Sequence, residues 1–310
     1  MTTPEPALTN ALLKVREAGY VLSEDWPRHG VTAQELGLHE DAGTVRLPAD
    51  VQLHDLRYIQ NSLPQQLSVQ LLDYTDSTNS EMMRRRTKFG GADQLILTEY
   101  QSAGRGRRGK VWLGDYGRNI AMTLGIEFPL NLNALGGLSS VVGLALLQAL
   151  ELEGVDAQLK WPNDVWVKEQ KLAGILVELV PTKIGTLAIV GIGINVDLTN
   201  VQASKIDQSV TTLRRLGALI SRDDLVVAVH ASLLKNFEVY FSEGFAPFLD
   251  AFNSAHCLQD RAAILVLGTE SQQGIVRGID ITGGLRFEQN GATRIVTSGE
   301  VSLRPLTTEE

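Results

Sequence analysis

LILTEYQSAGRGRRGKVWLGDYG, residues 95–117, decides which fold the chain can have. An apolar β-type run, LILTEY, feeds the hexapeptide GRGRRG (104–109), which fits the dinucleotide fingerprint GxGxxG. That fingerprint works only where a strand turns straight into a helix whose N-terminus faces a pyrophosphate. Here KVWLGDYG follows, with more glycines and no helical periodicity, so a Rossmann reading fails. A P-loop fails too, because no Gly-Lys-Ser/Thr closes the motif. What remains is a mobile glycine-rich loop whose backbone N–H groups approach an anion, with Arg105, Arg107 and Arg108 adding charge-assisted hydrogen bonds. A solvated charged loop is the simpler alternative.

On either side of this stretch, β-rich runs (LSVQLLDY, NIAMTLGIEF, LAGILVELV, TLAIVGIGINV) alternate with helical ones from about residue 66. SSVVGLALLQALELEG is apolar nearly all round, as a buried helix is, with Ser139 or Ser140 as cap and Gly154 as stop. DDLVVAVHASLLKNFEVYF and FAPFLDAFN predict two further helices. After Cys257 the strands are short and glycine-punctuated (AAILVLG, QGIVRGID, GGLRFEQ, TRIVTSGEVSL), which predicts a small β-barrel or sandwich. Before residue 66 lie a helical stretch, ALLKVREAGY, a turn-rich SEDWPRHG, and a second helical stretch, VQLHDLRYIQ. The expected division is therefore 1–65, 66–256 and 257–310.

Bulk composition limits the function. The 310 residues carry a net charge of -8, which argues against generalised nucleic-acid binding while leaving room for a local basic site. In residues 1–65 the five cations (Lys14, Arg16, Arg28, Arg46, Arg57) are outnumbered by nine carboxylates, a net -4. The single cysteine, Cys257, excludes an intrachain disulfide and any multi-cysteine metal site. With no basic-then-apolar leader in MTTPEPALTN and no apolar run of the ~18 residues a membrane span needs, a cytoplasmic protein without a membrane partner is expected.

Three further stretches carry chemistry. In KWPNDV (160–165) Pro162 holds Trp161 extended, and Asn163 and Asp164 present polar groups at a strand end. KEQ then turns, and KLAGILVEL returns as the paired strand, placing Lys171 near Lys160 and Asp164; a hairpin with polar tips is the plainer reading. VGIGINV (190–196) has a glycine at every second position, leaving one strand face bare for a flat ligand or for a packed helix, with Asn195 at its end as a base or amide contact. In DSTNSEMMRR (76–85) Ser77 or Thr78 caps a helix, with Glu81 completing a capping box. Arg84, Arg85, Arg86 and Lys88 read as that helix's wet face, and none of the five histidines lies in a motif.

Taken together, STN (77–79), Gln101 with GRGRRG and Trp112, KWPND with KLAGI, GIGIN, and GIVRGID with GEVSLRP resemble the biotin protein ligase family in order and approximate spacing, over roughly residues 66–306. The resemblance is to the bifunctional ligase/repressor type, with ALLKVREAGY similar to the end of a winged-helix recognition helix and its wing, so that residues 1–65 read as an incomplete winged helix and DNA binding is not expected. It implies an α+β fold: a central mixed β-sheet ligase domain of the class II aminoacyl-tRNA synthetase and biotin protein ligase type. A small C-terminal SH3-like β-barrel and a short N-terminal helical segment complete it.

The implied activity is ATP-dependent ligation of biotin, through biotinyl-5'-AMP, to a lysine of the biotin carboxyl carrier protein of acetyl-CoA carboxylase. The alternatives are a lipoate-protein ligase and a biotin-responsive repressor. Biotin, ATP and Mg²⁺ are the expected small molecules, and a homodimer is compatible with the resemblance. Lys171, Arg107 and Asp164 are the implied catalytic residues. Ser77, Thr78, Asn79, Gln101, Arg105, Gly106, Arg107 and Lys171 are the implied biotin ligands, and Arg107, Trp112, Asn163, Lys171, Asn195 and Arg277 those of ATP. Whether Asp164 orients Lys171 or joins a Mg²⁺ shell stays open.

Overall fold

A computed structural model describes residues 6–27, 30–86, 93–267, 269–297 and 301–305; Arg28, Lys88 and the Gly-Glu of GEVSLRP lie outside the described residues. The first helix, α1 (Pro6–Ala18), buries Leu8, Ala11, Leu12 and Val15, the i, i+3, i+4, i+7 stripe of an amphipathic helix. It packs on an antiparallel sheet of β1 (Tyr20–Leu22), β2 (His39–Asp41) and β3 (Thr44–Arg46) in the order β1-β3-β2. Tyr116, far along the chain, completes this small core. The second helix expected from Val51 starts later, as α2 (Leu56–Ser62), because the Asp55 carboxylate caps the backbone N–H groups of Arg57 (2.9 Å) and Tyr58 (3.1 Å).

The central sheet has seven strands. In chain order the elements are β4 (Ser68–Leu72), α3 (Thr78–Arg85), β5 (Gln94–Thr98), the short β6 (Gly104–Arg105) and β7 (Val111–Trp112), β8 (Ile120–Phe128), α4 (Leu138–Glu151), β9 (Gln158–Lys160), β10 (Asp164–Val167), β11 (Gln170–Pro181) and β12 (Thr186–Ile194). The order across the sheet is β4-β5-β8-β12-β11-β10-β9, mixed because β4 and β5 run parallel and every other pair antiparallel.

After α5 (Asn200–Ala203) come α6 (Arg222–Glu243) and α7 (Leu249–Ala255). Helices α4 and α6 share the main core with Ala188, Val190 and Ile192 of β12, while Met82 of α3 packs with Ile189 and Ile96 on the other face. This is the period-2 division expected of a sheet covered on both sides. The stretch Leu132–Glu151 has the length and hydropathy of a membrane span, yet its helix, α4, is buried in this core. Gly137 at φ 75°, rather than a serine, precedes α4, and Ser139 and Ser140 lie in its first turn.

The C-terminal strands β13 (Ala262–Leu267), β14 (Glu270–Ile279), β15 (Leu285–Gln289), β16 (Ala292–Val296) and β17 (Val301–Pro305) form an antiparallel sheet in the order β16-β15-β14-β13-β17. It is tied to the central sheet, since Cys257 N–H donates to the Leu159 carbonyl (2.8 Å) and the Trp161 indole donates to the Gly283 carbonyl (3.0 Å). The junction thereby holds KWPND in place.

Candidate active site

One face of the central sheet carries a cavity of about 600 Å³ whose floor is made of glycines. Gly174 and Gly193 are paired across β11 and β12, and Gly191 stands opposite Leu176 on one side and Thr123 on the other. The bare face read from VGIGINV is therefore real, and the protein itself covers part of it. The Trp112 ring lies over Gly193 so closely that a Cβ there would be 2.5 Å from the indole, and Asn79 lies over Gly191, where a Cβ would be 2.1 Å from its Oδ1. Side chains are excluded at positions 191 and 193 of β12, where Asn79 and Trp112 seat.

The STN end is a hydrogen-bonded network. The Thr78 backbone N–H donates to Gln101 Oε1 (2.8 Å), so Gln101 does the capping that Ser77 and Glu81 were expected to do. Glu81 is instead engaged by Arg84 and Arg85, and no cap bond forms from Ser77. Thr123 Oγ1 lies 2.8 Å from Thr78 Oγ1 and 2.7 Å from Asn79 Oδ1, and Asn79 Nδ2 donates to Glu178 (2.9 Å) and to the Leu176 carbonyl (3.2 Å). Glu178 in turn accepts from Arg105 (2.9 Å), so Gln101, STN and the Gly/Arg stretch form one connected wall.

GRGRRG is a hairpin rather than an irregular loop: Gly104 pairs with Trp112 and Arg105 with Val111, and Arg108 at φ 60° makes the turn. A Cβ at Gly104 would fall 2.5 Å from the Trp112 carbonyl oxygen, so that position needs a glycine. Arg105 is taken by Glu178, whereas Arg107, among the described residues, has no ion-pair partner although it lines the cavity. Burial lowers the Arg107 pKa, an effect Asp164 opposes.

Across the cavity, KWPND and KLAGI meet as expected. The register shifts between Val165 and Trp166, a bulge that re-aims Lys171 to the face of Gly174. Its ammonium lies 2.7 Å from Asp164 and 5.7 Å from the centroid of the Trp112 ring. Asn163 Nδ2 donates to the Ile175 carbonyl (2.6 Å), clamping the motif to β11. Lys160 sits 3.7 Å above the Trp166 ring, and burial pushes its pKa down to about 8, with Asp164 opposing. His256 accepts the Trp161 N–H (3.1 Å), and burial, with Lys160 nearby, lowers its pKa to about 4. Burial pushes the Cys257 thiol up to about 11, which keeps it protonated.

Two residues implied as ATP ligands stand outside this cavity. Asn195 is buried at the end of β12, where its amide donates to the Lys171 carbonyl (3.3 Å), so it acts on the backbone that carries Lys171. Arg277 is held on β14 by Glu288 (2.7 Å) and Asp260 (2.7 Å), and these two carboxylates compensate it away from the cavity. Conversely, Thr123 and Glu178, which hold Asn79 from behind the lining, and Lys160 and the segment Asp207-Gln208-Ser209, which line the cavity, were not singled out as ligands. A lone hydroxyl in NIAMTLGIEF and a lone carboxylate in LAGILVELV are the signals that mark the first two; 207–209 carries none. Among the described residues no group of three His, Cys, Asp or Glu side chains is placed to hold a metal.

Fold and cavity define the class: a mixed-sheet α+β protein with a Gly/Arg hairpin over a glycine floor. A profile of the Biotin/lipoate A/B protein ligase family matches residues 71–195. The chain is 36% identical over 261 residues to the bifunctional ligase/repressor BirA of Escherichia coli, an alignment spanning 83% of this chain and 80% of that protein. It is 31% identical over 238 residues to the biotin–acetyl-CoA-carboxylase ligase of Mycobacterium tuberculosis, spanning 73% and 85% respectively. Among solved structures, the biotin protein ligase of Aquifex aeolicus in complex with biotin and ATP superposes with a TM-score of 0.65 at 27% identity, over 77% of this chain and 99% of that one. The chain belongs to the biotin protein ligase family.

Proposed function

We propose that this protein joins biotin to a lysine of the biotin carboxyl carrier protein of acetyl-CoA carboxylase, through biotinyl-5'-AMP. One observation carries the reading: the Gly/Arg hairpin, STN with Gln101, and the Lys171–Asp164 pair line a single cavity of about 600 Å³. A carboxylate is ionised at neutral pH, so its attack on the α-phosphate needs no general base; the obstacle is bringing two anions together. Arg107, cationic and unpaired among the described residues, and Lys171 supply the compensation, while Arg105, held by Glu178 beside Asn79, is assigned to the biotin side of the hairpin. The carboxylate oxygen bonds to the α-phosphorus as the bond to pyrophosphate breaks. A lysine amine of the carrier then attacks the acyl carbon, AMP leaves, and Asp164 assists removal of the amine's proton.

The uncharged ureido ring is assigned to Ser77, Thr78, Asn79 and Gln101, which offer donors and acceptors in a recess, with Gly106 at the hairpin side. Trp112, Asn163 and Lys171 are assigned to the nucleotide end. Asn195 supports Lys171 from behind, and Arg277 is left out of the set. Asp164 is engaged by Lys171 (2.7 Å); Mg²⁺, expected with ATP, would offset the charge of its phosphates, and Asp164 and Asp207 are the carboxylates of the lining that would face it.

Biotin-dependent ATP–pyrophosphate exchange tests the reading. Wild type exchanges with biotin and not with lipoate, and Lys171→Ala and Arg107→Ala each lose about 2 to 4 kcal/mol of transition-state stabilisation, roughly 30- to 1000-fold in rate. Exchange retained by both variants, or driven by lipoate, refutes it.

A further inference from the structure

Neighbouring strands lie about 4.8 Å apart, so the strand order of the sheet is also an order of positions along the cavity. Asn79 lies over Gly191 of β12, Lys171 stands on β11, Asp164 and Trp166 on β10, and Lys160 on β9 at the edge of the sheet. Lys160 is paired with Asp164 in the register of β9 and β10, so the two side chains share a face. Asp164 is nevertheless taken by Lys171 (2.7 Å), and Lys160 makes no ion pair among the described residues. Its ammonium rests on the Trp166 ring (3.7 Å), and the Trp166 indole N–H is itself buried with no hydrogen-bond partner among the described residues. Lys171 and Lys110 add further positive charge around Lys160, and all four side chains line the cavity. This edge therefore carries a cation and a donor that nothing compensates, the chemistry that receives an anion with several oxygens.

An in-line displacement at phosphorus expels the leaving group on the side opposite the nucleophile. Biotin is assigned to the Asn79 side, over β12, and the α-phosphate to Lys171 on β11, so the leaving oxygen faces β10 and β9. We propose that Lys160 and the Trp166 indole N–H form the site of the leaving pyrophosphate, the β- and γ-phosphates of ATP. The inference rests on the reading of this cavity as an adenylation site. As the carboxylate oxygen bonds to the α-phosphorus, the bridging oxygen leaves with the electron pair of the broken bond, and the charge it gains arrives beside Lys160. Once pyrophosphate has gone, the ammonium returns to the Trp166 ring and takes no part in transfer to the carrier.

Two half-reactions of the full chain, measured separately, test this: ATP–pyrophosphate exchange with biotin, and transfer to the carrier from biotinyl-5'-AMP supplied ready-made. Lys160→Ala raises the KM for pyrophosphate about 10- to 100-fold, the loss expected when a charged donor is removed, and leaves transfer within about twofold. Lys160→Arg recovers most of that loss. Trp166→Phe keeps a ring beneath Lys160 and removes only the N–H; it raises the KM for pyrophosphate about fivefold, again without slowing transfer, and keeps the test available if Lys160→Ala does not fold. An unchanged KM for pyrophosphate in both variants, or equal losses in exchange and transfer, reduces Lys160 and Trp166 to supports of the sheet edge and overturns the pyrophosphate site alone. Wild type that shows no biotin-dependent exchange overturns the adenylation reading, and this site with it.

Discussion

Gly191 and Gly193 lie two residues apart on one strand face, yet alanine at each should damage a different substrate. At Gly191 a new methyl would sit 2.1 Å from Asn79 Oδ1, closer than any contact allows, with Asn79 Cγ at 2.9 Å. The strand is paired on both sides, so Asn79 has to move, and its bonds to Glu178 (2.9 Å), the Leu176 carbonyl (3.2 Å) and Thr123 (2.7 Å) go with it. If the displaced Asn79 gives up the one or two hydrogen bonds assigned to it on the ureido ring, at about 1 kcal/mol each, biotin binding should weaken by about 1 to 2 kcal/mol, roughly 5- to 30-fold. Alanine also restricts the unfolded chain, which returns about 0.5 to 1 kcal/mol to stability and nothing to binding. At Gly193 the methyl would meet the Trp112 indole at 2.5 Å, lifting the ring from the nucleotide end. Titration calorimetry with biotin, beside the KM for ATP in pyrophosphate exchange, separates the two. Gly191→Ala should raise the biotin Kd with little change in KM for ATP, and Gly193→Ala the reverse. Equal effects of both variants on both substrates would refute the division of the floor.

Three other outcomes follow from buried charge. Glu99 is fully buried; burial would raise its pKa, but Arg222, His54 and Arg16 overcome that and hold it at about 2, against 4.5 for a free carboxyl. A lowered carboxyl pKa stabilises the fold above the free value, so this contribution should fade as pH falls from about 4.5 towards 2, and Arg222→Ala should cost about 3 to 5 kcal/mol at neutral pH, both read by urea unfolding. His256, at about 4 against 6.5, should stay neutral at pH 5 in ring ¹⁵N NMR; its contribution is present above 6.5 and shrinks as pH falls towards 4, and a titration near 6.5 would contradict its packing. Lys160, lowered to about 8, should be modified by an amine-directed reagent at pH 8 ahead of exposed lysines, with biotin plus ATP protecting it; mass spectrometry reads the site, and modification at the exposed-lysine rate contradicts its burial.

What could be read in advance depends on how far apart in the chain the causes lie. Strands β5, β8, β11 and β12 and helices α4 and α6 announce themselves through periods of two and 3.6, and the approach of Lys171 to Asp164 follows from one short turn. The bulge at Val165 and Trp166, which decides that Lys171 and not Leu172 faces the cavity, has no local signal. The start of α2 turned on a single cap at Asp55, and the cap of α3 comes from Gln101, 23 positions away, so neither helix start could be placed by a pattern of serines and glutamates. The same distance effect explains the glycine face. Alternation in VGIGINV shows that the face is bare, but not that Asn79 and Trp112 fill part of it, since each arrives from another strand or helix through the register of β8, β12 and β11. Arg277 is the converse case: its motif suggested a ligand, and the neighbours that neutralise it, Asp260 and Glu288, become neighbours only when β14 folds back on β15 and on the turn after α7. A residue's type thus points to chemistry it is able to do, and the long-range register decides whether its charge is already compensated. That is why Arg107, unpaired among the described residues, remains the strongest of the cations proposed from sequence, while the charge of Arg105 is already met by Glu178.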